Sequence, residues 1–147
     1  MNALQDPAMI ERLYEASQAG VKTDLIVRGI CCLIPGRKFS RNIRVTRIVD
    51  TFLEHARVWY FGNGGKPKLF LGSPDWMRRN LYRRIEAVTP ILDPDLKREL
   101  SDMLSIQLSD KRKACFVDDR LRNRWKSARP QKEKIRAQYT FYEYLKS

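Results

Sequence analysis

At 147 residues, 43% hydrophobic and 31% charged, the chain has the size and composition of one globular domain with a core of its own. It contains no apolar run near the roughly 20 residues that a membrane-crossing helix needs. Twenty-nine lysines and arginines against 17 aspartates and glutamates leave a formal net charge of +12, so the expected partner is a polyanion: nucleic acid, a phosphate polymer, a nucleotide or an anionic membrane surface.

Residues 1–7 carry none of the basic flank, apolar block and cleavage site of a secretory signal, and a cytoplasmic location is expected. Asp6-Pro7 reads as an N-cap followed by proline in the first helical turn. Met9, Leu13 and Ala16 then recur at helical spacing, and Gly20 closes the helix. Leu25-Ile26-Val27 is the short, continuously apolar run of a parallel strand covered on both faces, ending at Arg28-Gly29. Cys31 and Cys32 are neighbours, a poor geometry for bridging each other, and three cysteines are an odd number, so all are expected to be reduced. Ile48, Val49, Phe52 and Leu53 share one helical stripe and predict a helix that runs out near His55.

Arg57-Val58-Trp59-Tyr60-Phe61 and Lys68-Leu69-Phe70-Leu71 flank the turn residues Gly62-Asn63-Gly64-Gly65, which predicts a hairpin. A further strand is expected at Arg84-Ile85-Glu86-Ala87-Val88. Asp93-Pro94 repeats the cap-plus-proline device before Leu96, Leu100, Met103 and Leu104, predicting another helix. Residues 111–129 are dense in basic side chains and read mostly as loop, with a short strand at 113–117 that would bury Cys115. Ile135, Tyr139, Tyr142 and Leu145 predict a closing amphipathic helix. Helices alternating with strands, one pair joined as a hairpin, indicate an α/β layer structure on a mixed sheet.

Ligands of an open α/β sheet bind beyond the carboxyl ends of its strands, where Arg28 stands. Its guanidinium could take two phosphate oxygens at once, and position alone suits it equally to a carboxylate at the sheet edge. His55 and Arg57, two apart where a strand is expected to start, would leave one face and could share one phosphate, although a lone histidine is more often structural. With no second histidine and no paired C-x-x-C, a zinc site is not expected. Gly72-Ser73, Asn80 and the pair Arg84 and Glu86 bring small and polar groups between predicted strands, where a buried Arg84–Glu86 ion pair is the plain structural alternative.

Several of these runs occur together in one family. Leu25-Ile26-Val27-Arg28-Gly29-Ile30-Cys31, Phe52-Leu53-Glu54-His55-Ala56-Arg57-Val58-Trp59-Tyr60-Phe61 with Asn63-Gly64-Gly65, Asp75-Trp76-Met77-Arg78-Arg79-Asn80, Arg83-Arg84-Ile85-Glu86 and Lys134-Ile135-Arg136-Ala137-Gln138 resemble the polyphosphate kinases that work through a phosphohistidine. The resemblance covers nearly the whole chain and implies the carboxy-terminal phospholipase D-like fold, a mixed sheet flanked by helices, with residues 1–147 as a single domain of a longer enzyme. Ser73 through Asn80 to Glu86 is similar to the second segment of the phospholipase D superfamily. The first segment departs from the pattern H-x-K-x-x-x-x-D: Arg57 replaces the lysine and Gly62 stands at the aspartate position.

The resemblance implies reversible transfer of the terminal phosphoryl group of ATP to inorganic polyphosphate. The phosphorylated histidine and the Mg²⁺ ligands are expected in polypeptide outside these residues. His55 would be the second active-site histidine, and Arg28, His55 and Arg84 would contact ATP or phosphate, with Arg57 and Glu86 supporting them. Implied partners are ATP, ADP and polyphosphate, with no specific nucleic acid and no membrane span. The whole enzyme is expected to be a cytoplasmic homo-oligomer, its association with membranes left open. Met1-Asn2-Ala3-Leu4 also matches the interior of family members, so a fragment is expected, and with the phosphorylated histidine outside it these residues are expected to be inactive alone. A non-catalytic module binding nucleic acid or another polyanion, and a degenerate phospholipase D-like nuclease, are the competing readings.

Overall fold

The computed structural model describes residues 1–126 and 135–146. Helix α1 (Pro7–Gln18) starts where Asp6 Oδ1 accepts from the Met9 N–H at 3.0 Å, with proline in the first turn. It stops before Gly20, whose φ of +92° disfavours any side chain. Strand β1 (Thr23–Ile26) follows and delivers Val27, fully buried, into the core.

The expected helix at 48–53 does not form. Its first residue ends strand β2 (Ile43–Ile48), and 49–57 is an irregular segment. Ile43, Val45, Thr46 and Ile48 are all buried, so β2 is covered on both faces and packing overrides the helical spacing that Val49, Phe52 and Leu53 suggested. Those three side chains are exposed.

The hairpin forms as predicted, from β3 (Val58–Phe61) to β4 (Lys68–Gly72), turning through Asn63, Gly64 and Gly65 at positive φ. After β4 a short helix, α2 (Arg78–Arg83), was not foreseen. The strand expected at 84–88 begins only at its last residue, as β5 (Val88–Ile91); 84–87 is an extended connection. Helix α3 (Pro94–Ser109) has its predicted cap, Asp93 Oδ1 accepting from Asp95 and Leu96 N–H. The basic stretch is more ordered than a loop: β6 (Ala114–Val117) and β7 (Asn123–Trp125) pair antiparallel, and its residues 127–129 lie outside the described ones. Helix α4 (Ala137–Tyr144) closes the chain.

Two sheets result. One runs β1-β2-β6-β7, with β1 parallel to β2 and the rest antiparallel; the other is the meander β3-β4-β5. This is the expected mixed-sheet α/β architecture. Leu4, Ile10, Val27, Leu33, Ile43, Val45 and Val117 form the core between α1 and the first sheet. Cys31, Cys32 and Cys115 are all free thiols, with Cys115 buried.

One carboxylate fastens the end of the chain. Asp110, fully buried, accepts through Oδ1 from the N–H groups of Arg112, Lys113 and Ala114 at 2.7–2.9 Å, and through Oδ2 from Ala137 N–H at 2.7 Å. Asp110→Ala strands four donors, and urea unfolding should show a loss of about 3 kcal/mol or more, with Asp110→Asn intermediate.

Candidate functional site

The irregular segment before β3 carries His55, and side chains from distant elements hold it. Gln138 on α4 grips the backbone of Phe52, accepting from its N–H at 2.8 Å and donating to its carbonyl at 2.7 Å. Gln138 and Gln107 on α3 both donate to Glu54. Arg136 forks onto the buried carboxylate of Asp50, Nε to Oδ2 at 2.8 Å and Nη2 to Oδ1 at 2.6 Å. Those contacts hold the Asp50 carboxyl below its ordinary range despite its burial. Arg136, Ala137 and Gln138 of the last quoted run thereby act on the His55 segment; Lys134 lies outside the described residues.

His55 is exposed, and Arg57 wraps back on it. Arg57 Nη1 donates to the His55 carbonyl, and Nη2 lies 3.0 Å from Nε2 of the ring. A guanidinium has only donors, so that contact needs an unprotonated Nε2 and puts the ring's proton on Nδ1. Strand β3 begins one residue after Arg57, so the two side chains meet by a bend rather than by strand alternation.

Arg57 also forks onto Asp75, Nε to Oδ1 at 3.3 Å and Nη2 to Oδ2 at 2.8 Å, with Asp75 only 3% exposed. Asp75 Oδ1 accepts in addition from the N–H groups of Asn2 and Ala3, at 2.7 and 3.0 Å. Burial alone would push this carboxyl up. The hydrogen bonds from Arg57, Ala3 and Asn2 outweigh it and hold the group below its ordinary value. Asn2 in turn receives Arg28 on its side-chain oxygen, from Nε at 2.9 Å and Nη2 at 2.7 Å. A run of direct contacts thus links Arg28, Asn2, Asp75, Arg57 and His55. Arg28 meets an amide rather than the carboxylate that position alone allowed.

A second cluster adjoins the first. Glu86 accepts from the Ser73 hydroxyl on one oxygen and from Asn80 Nδ2, at 2.6 Å, on the other. These two hydrogen bonds, with the positive charge of Arg84 and Arg57, hold the Glu86 carboxyl below its ordinary range. Asn80 Oδ1 is buried without a partner. Arg84 follows α2 on extended backbone, exposed, and no ion pair joins it to Glu86, so the buried pair considered from sequence is not formed.

The decisive residues that sequence reasoning left without a role are Asp75 and Asn2. Asp75 lay inside a family-like run, but its partners come from the far end of the chain, which no spacing reveals. No group of three histidine, cysteine, aspartate or glutamate side chains that could hold a metal ion occurs among the described residues. No helix among them is long and apolar enough to cross a membrane.

Comparison with known proteins bears on this arrangement. Residues 1–138 match the family model described as polyphosphate kinase C-terminal domain 2. The chain is 48% identical over 148 residues to the polyphosphate kinase of Escherichia coli strain K12, covering 100% of this chain and 21% of that protein. It is 56% identical over 115 residues to that of Synechocystis, covering 78% of this chain and 16% of the relative. The crystal structure of polyphosphate kinase from Porphyromonas gingivalis superposes with a TM-score of 0.95 at 57% identity, over 99% of this chain and 22% of that one. The chain spans about a fifth of the length of these relatives.

The lowered Asp75 carboxyl makes the clasp acid-sensitive. Its contribution to stability is present above the ordinary value of 3.8 and is lost as pH falls through the lower value it has in the fold. Asp75→Asn should lose about 3 kcal/mol at neutral pH, because Arg57 is left buried without its counter-charge. Its unfolding free energy plotted against pH should also fall less steeply in acid than that of the parent chain.

Proposed function

Because the chain belongs to the polyphosphate kinase family, matching the second of its carboxy-terminal domains, we propose that it forms one wall of the site where such an enzyme moves the terminal phosphoryl group of ATP reversibly onto inorganic polyphosphate. In this reading residues 1–147 are a single domain of a longer, homo-oligomeric enzyme, whose partners are ATP, ADP and the polymer. The histidine that becomes phosphorylated, and the Mg²⁺ ligands, lie in polypeptide outside these residues. In this reading the whole enzyme is cytoplasmic, with association at a membrane surface left open.

The observation that supports it is the continuous run of contacts from Arg28 to His55 through Asn2, Asp75 and Arg57, with Glu86 and Arg84 alongside. Phosphoryl transfer asks a protein mainly for fixed positive charge around three equatorial oxygens and a group that handles a proton at the bridging or attacking oxygen. Arg28 and Arg84 supply the charge as phosphate-binding residues. Arg57 is a positioning residue, fixed by Asp75 and presenting Nη2 to His55. A phosphoryl oxygen that takes this donor frees Nε2 of His55, which then holds or releases the proton at the bridging oxygen. Glu86, its oxygens occupied by Ser73 and Asn80, orients the second cluster and keeps Arg84 beside it.

Balanced over two steps, the bond from the bridging oxygen of ATP to its terminal phosphorus breaks as one to the outside histidine forms. That phosphorus–nitrogen bond then breaks as a terminal polyphosphate oxygen attacks. These residues contain no second histidine to carry the covalent intermediate.

Binding of inorganic polyphosphate to the purified 147 residues, measured by calorimetry, should weaken about tenfold or more in Arg28→Ala and in Arg84→Ala, and should fall steeply with salt. Wild-type affinity in both variants removes these arginines from the site. The 147 residues alone should give no sustained polymer synthesis from ATP. Activity should appear when a separately expressed upstream portion of a polyphosphate kinase is added, and should be absent with His55→Ala; sustained synthesis by the chain alone overturns the proposal.

A further inference from the structure

Residues 118–124, the densest part of the basic stretch, take no part in the site described above, and they are built around one carboxylate. The turn from β6 to β7 is tight: Asp118 N–H donates to the Arg122 carbonyl and Leu121 N–H to the Asp118 carbonyl, both at 2.9 Å. Asp118 Oδ1 accepts from the N–H groups of Arg120 and Arg122, and Oδ2 accepts from Nε of Arg122 and Nε of Arg124, both at 3.0 Å. The backbone N–H of Arg122, then that of Arg120 and the two guanidinium groups, hold this carboxyl below its ordinary range, so it stays ionised between them.

One anion thus holds two cations side by side, and the pair keeps a net positive charge. Each guanidinium is engaged through Nε alone, and its terminal nitrogens have no partner among the described residues. Both side chains are exposed. Each therefore still offers the fork of donors that matches two phosphate oxygens.

More positive charge gathers around the pair. Thr46 of β2 stands opposite Phe116, and Phe116 opposite Arg124, so Arg44 and Arg122, each two residues before one of these partners, share their sheet face. Arg120 is exposed at the turn, and Arg37 docks there from the loop before β2, donating to the Asp119 carbonyl at 3.1 Å. Against these five guanidinium groups stand three carboxylates, Asp24, Asp118 and Asp119, each already paired with one or two of them.

Such a surface selects a polyanion, and this face favours phosphates over bases. Trp125 is exposed but stands opposite Cys115, on the other side of the sheet. Phe116, the ring on the arginine face, already has Arg44 at 5.8 Å and Lys126 at 5.0 Å over it. Base stacking, which carries much of single-strand nucleic acid binding, finds no free ring on this face among the described residues. The turn lies at the end of β2 that begins with Ile43, whereas Arg28 follows β1 at the end where Ile48 meets Ala114. At about 3.3 Å per strand residue the two places are on the order of 15 Å apart.

We infer that the β6–β7 turn is a second phosphate-binding site, with Arg122 and Arg124 at its centre and Arg44 and Arg120 beside them, which holds inorganic polyphosphate away from the end where phosphoryl transfer is proposed. The identity of the polymer rests on the proposed function, whereas the site itself rests on the arginine cluster.

NMR of the 147 residues titrated with long-chain inorganic polyphosphate tests it. The amide signals of Arg120 and Arg122 and the Nε–H signals of Arg122 and Arg124 should shift, and should still do so in the chain carrying Arg28→Ala and Arg84→Ala. Signals of the turn that stay in place at polymer saturation overturn the inference. The affinity read at the residue 120 and 122 amides should fall about fivefold or more in Arg122→Gln with Arg124→Gln. A charge-matched control, Arg12→Gln with Arg98→Gln, whose arginines pair with Glu15 and Asp95 on other surfaces, should lose much less. Equal losses reduce the effect to net charge and overturn the site. Arg120→Gln, whose side chain makes no bond among the described residues, leaves the hairpin intact and should also weaken binding; unchanged affinity there and in the double variant overturns the site as well. Single-stranded DNA of equal phosphate content that displaces the polymer from these signals gives the turn to nucleic acid and overturns the assignment. Turn signals that shift while Arg28→Ala and Arg84→Ala leave polymer binding unchanged count against the proposed function and leave this site standing.

Discussion

The Asp75 carboxylate is the constraint on which the site rests. It sits almost out of water and takes donors from two directions, the fork of Arg57 and the N–H groups of Asn2 and Ala3. A buried carboxylate is tolerable only when its oxygens are met, and here meeting them does structural work. The same few atoms fix Arg57 beside His55 and, through its backbone N–H, hold Asn2 where its side chain receives Arg28. Without the carboxylate, Arg57 would keep only its contacts to His55, and Asn2, which receives Arg28, would lose the acceptor of its own N–H.

The position of that anion follows from the seam between the sheets. Residues 1–4 are too short to count as a strand of either sheet, yet they pair with 26–32 on one side and with Trp76 on the other. Asp75 caps this seam from the β4 side, where Gly72 allows the approach: a Cβ there would stand 2.6 Å from the Trp59 ring, which stacks on Trp76. The second support comes from the far end of the chain, where Arg136 and Gln138 tie down the segment that carries His55. Neither support is local, and this explains why an irregular, largely exposed segment can hold the His55 side chain in place.

Much of the frame was legible because local chemistry and tertiary packing agree there. Asp6-Pro7 and Asp93-Pro94 mark helix starts that the structure keeps, and the Asn-Gly-Gly turn marks a hairpin because only a few residues accept its backbone angles. Where the two disagree, packing wins. Ile48 belongs to a helical stripe by spacing but to a strand buried on both faces in the fold, and the strand expected from Arg84 starts only at Val88 because Glu86 is drawn aside by Ser73 and Asn80. Of the candidate site, the residue types were legible and their juxtaposition was not. His55 and Arg57 are neighbours in sequence and touch. Arg28 reaches them only through Asn2 and Asp75, partners separated from one another by 73 positions, a distance across which no periodicity carries information.

The arginines also differ in how much of their order is already in place. Arg28 and Arg57 are held in fixed orientations by Asn2 and Asp75, so a phosphate that binds them has little side-chain entropy to remove. Arg84 is exposed and has no ion pair among the described residues, so a phosphate binding it would meet that cost. Fixed donors stabilise charge most where it develops, since they need not reorganise during a reaction. Arg57 is thus anchored beside the imidazole and Arg28 two contacts further back on Asn2, whereas Arg84 is the member of the proposed set whose order a ligand would still have to supply.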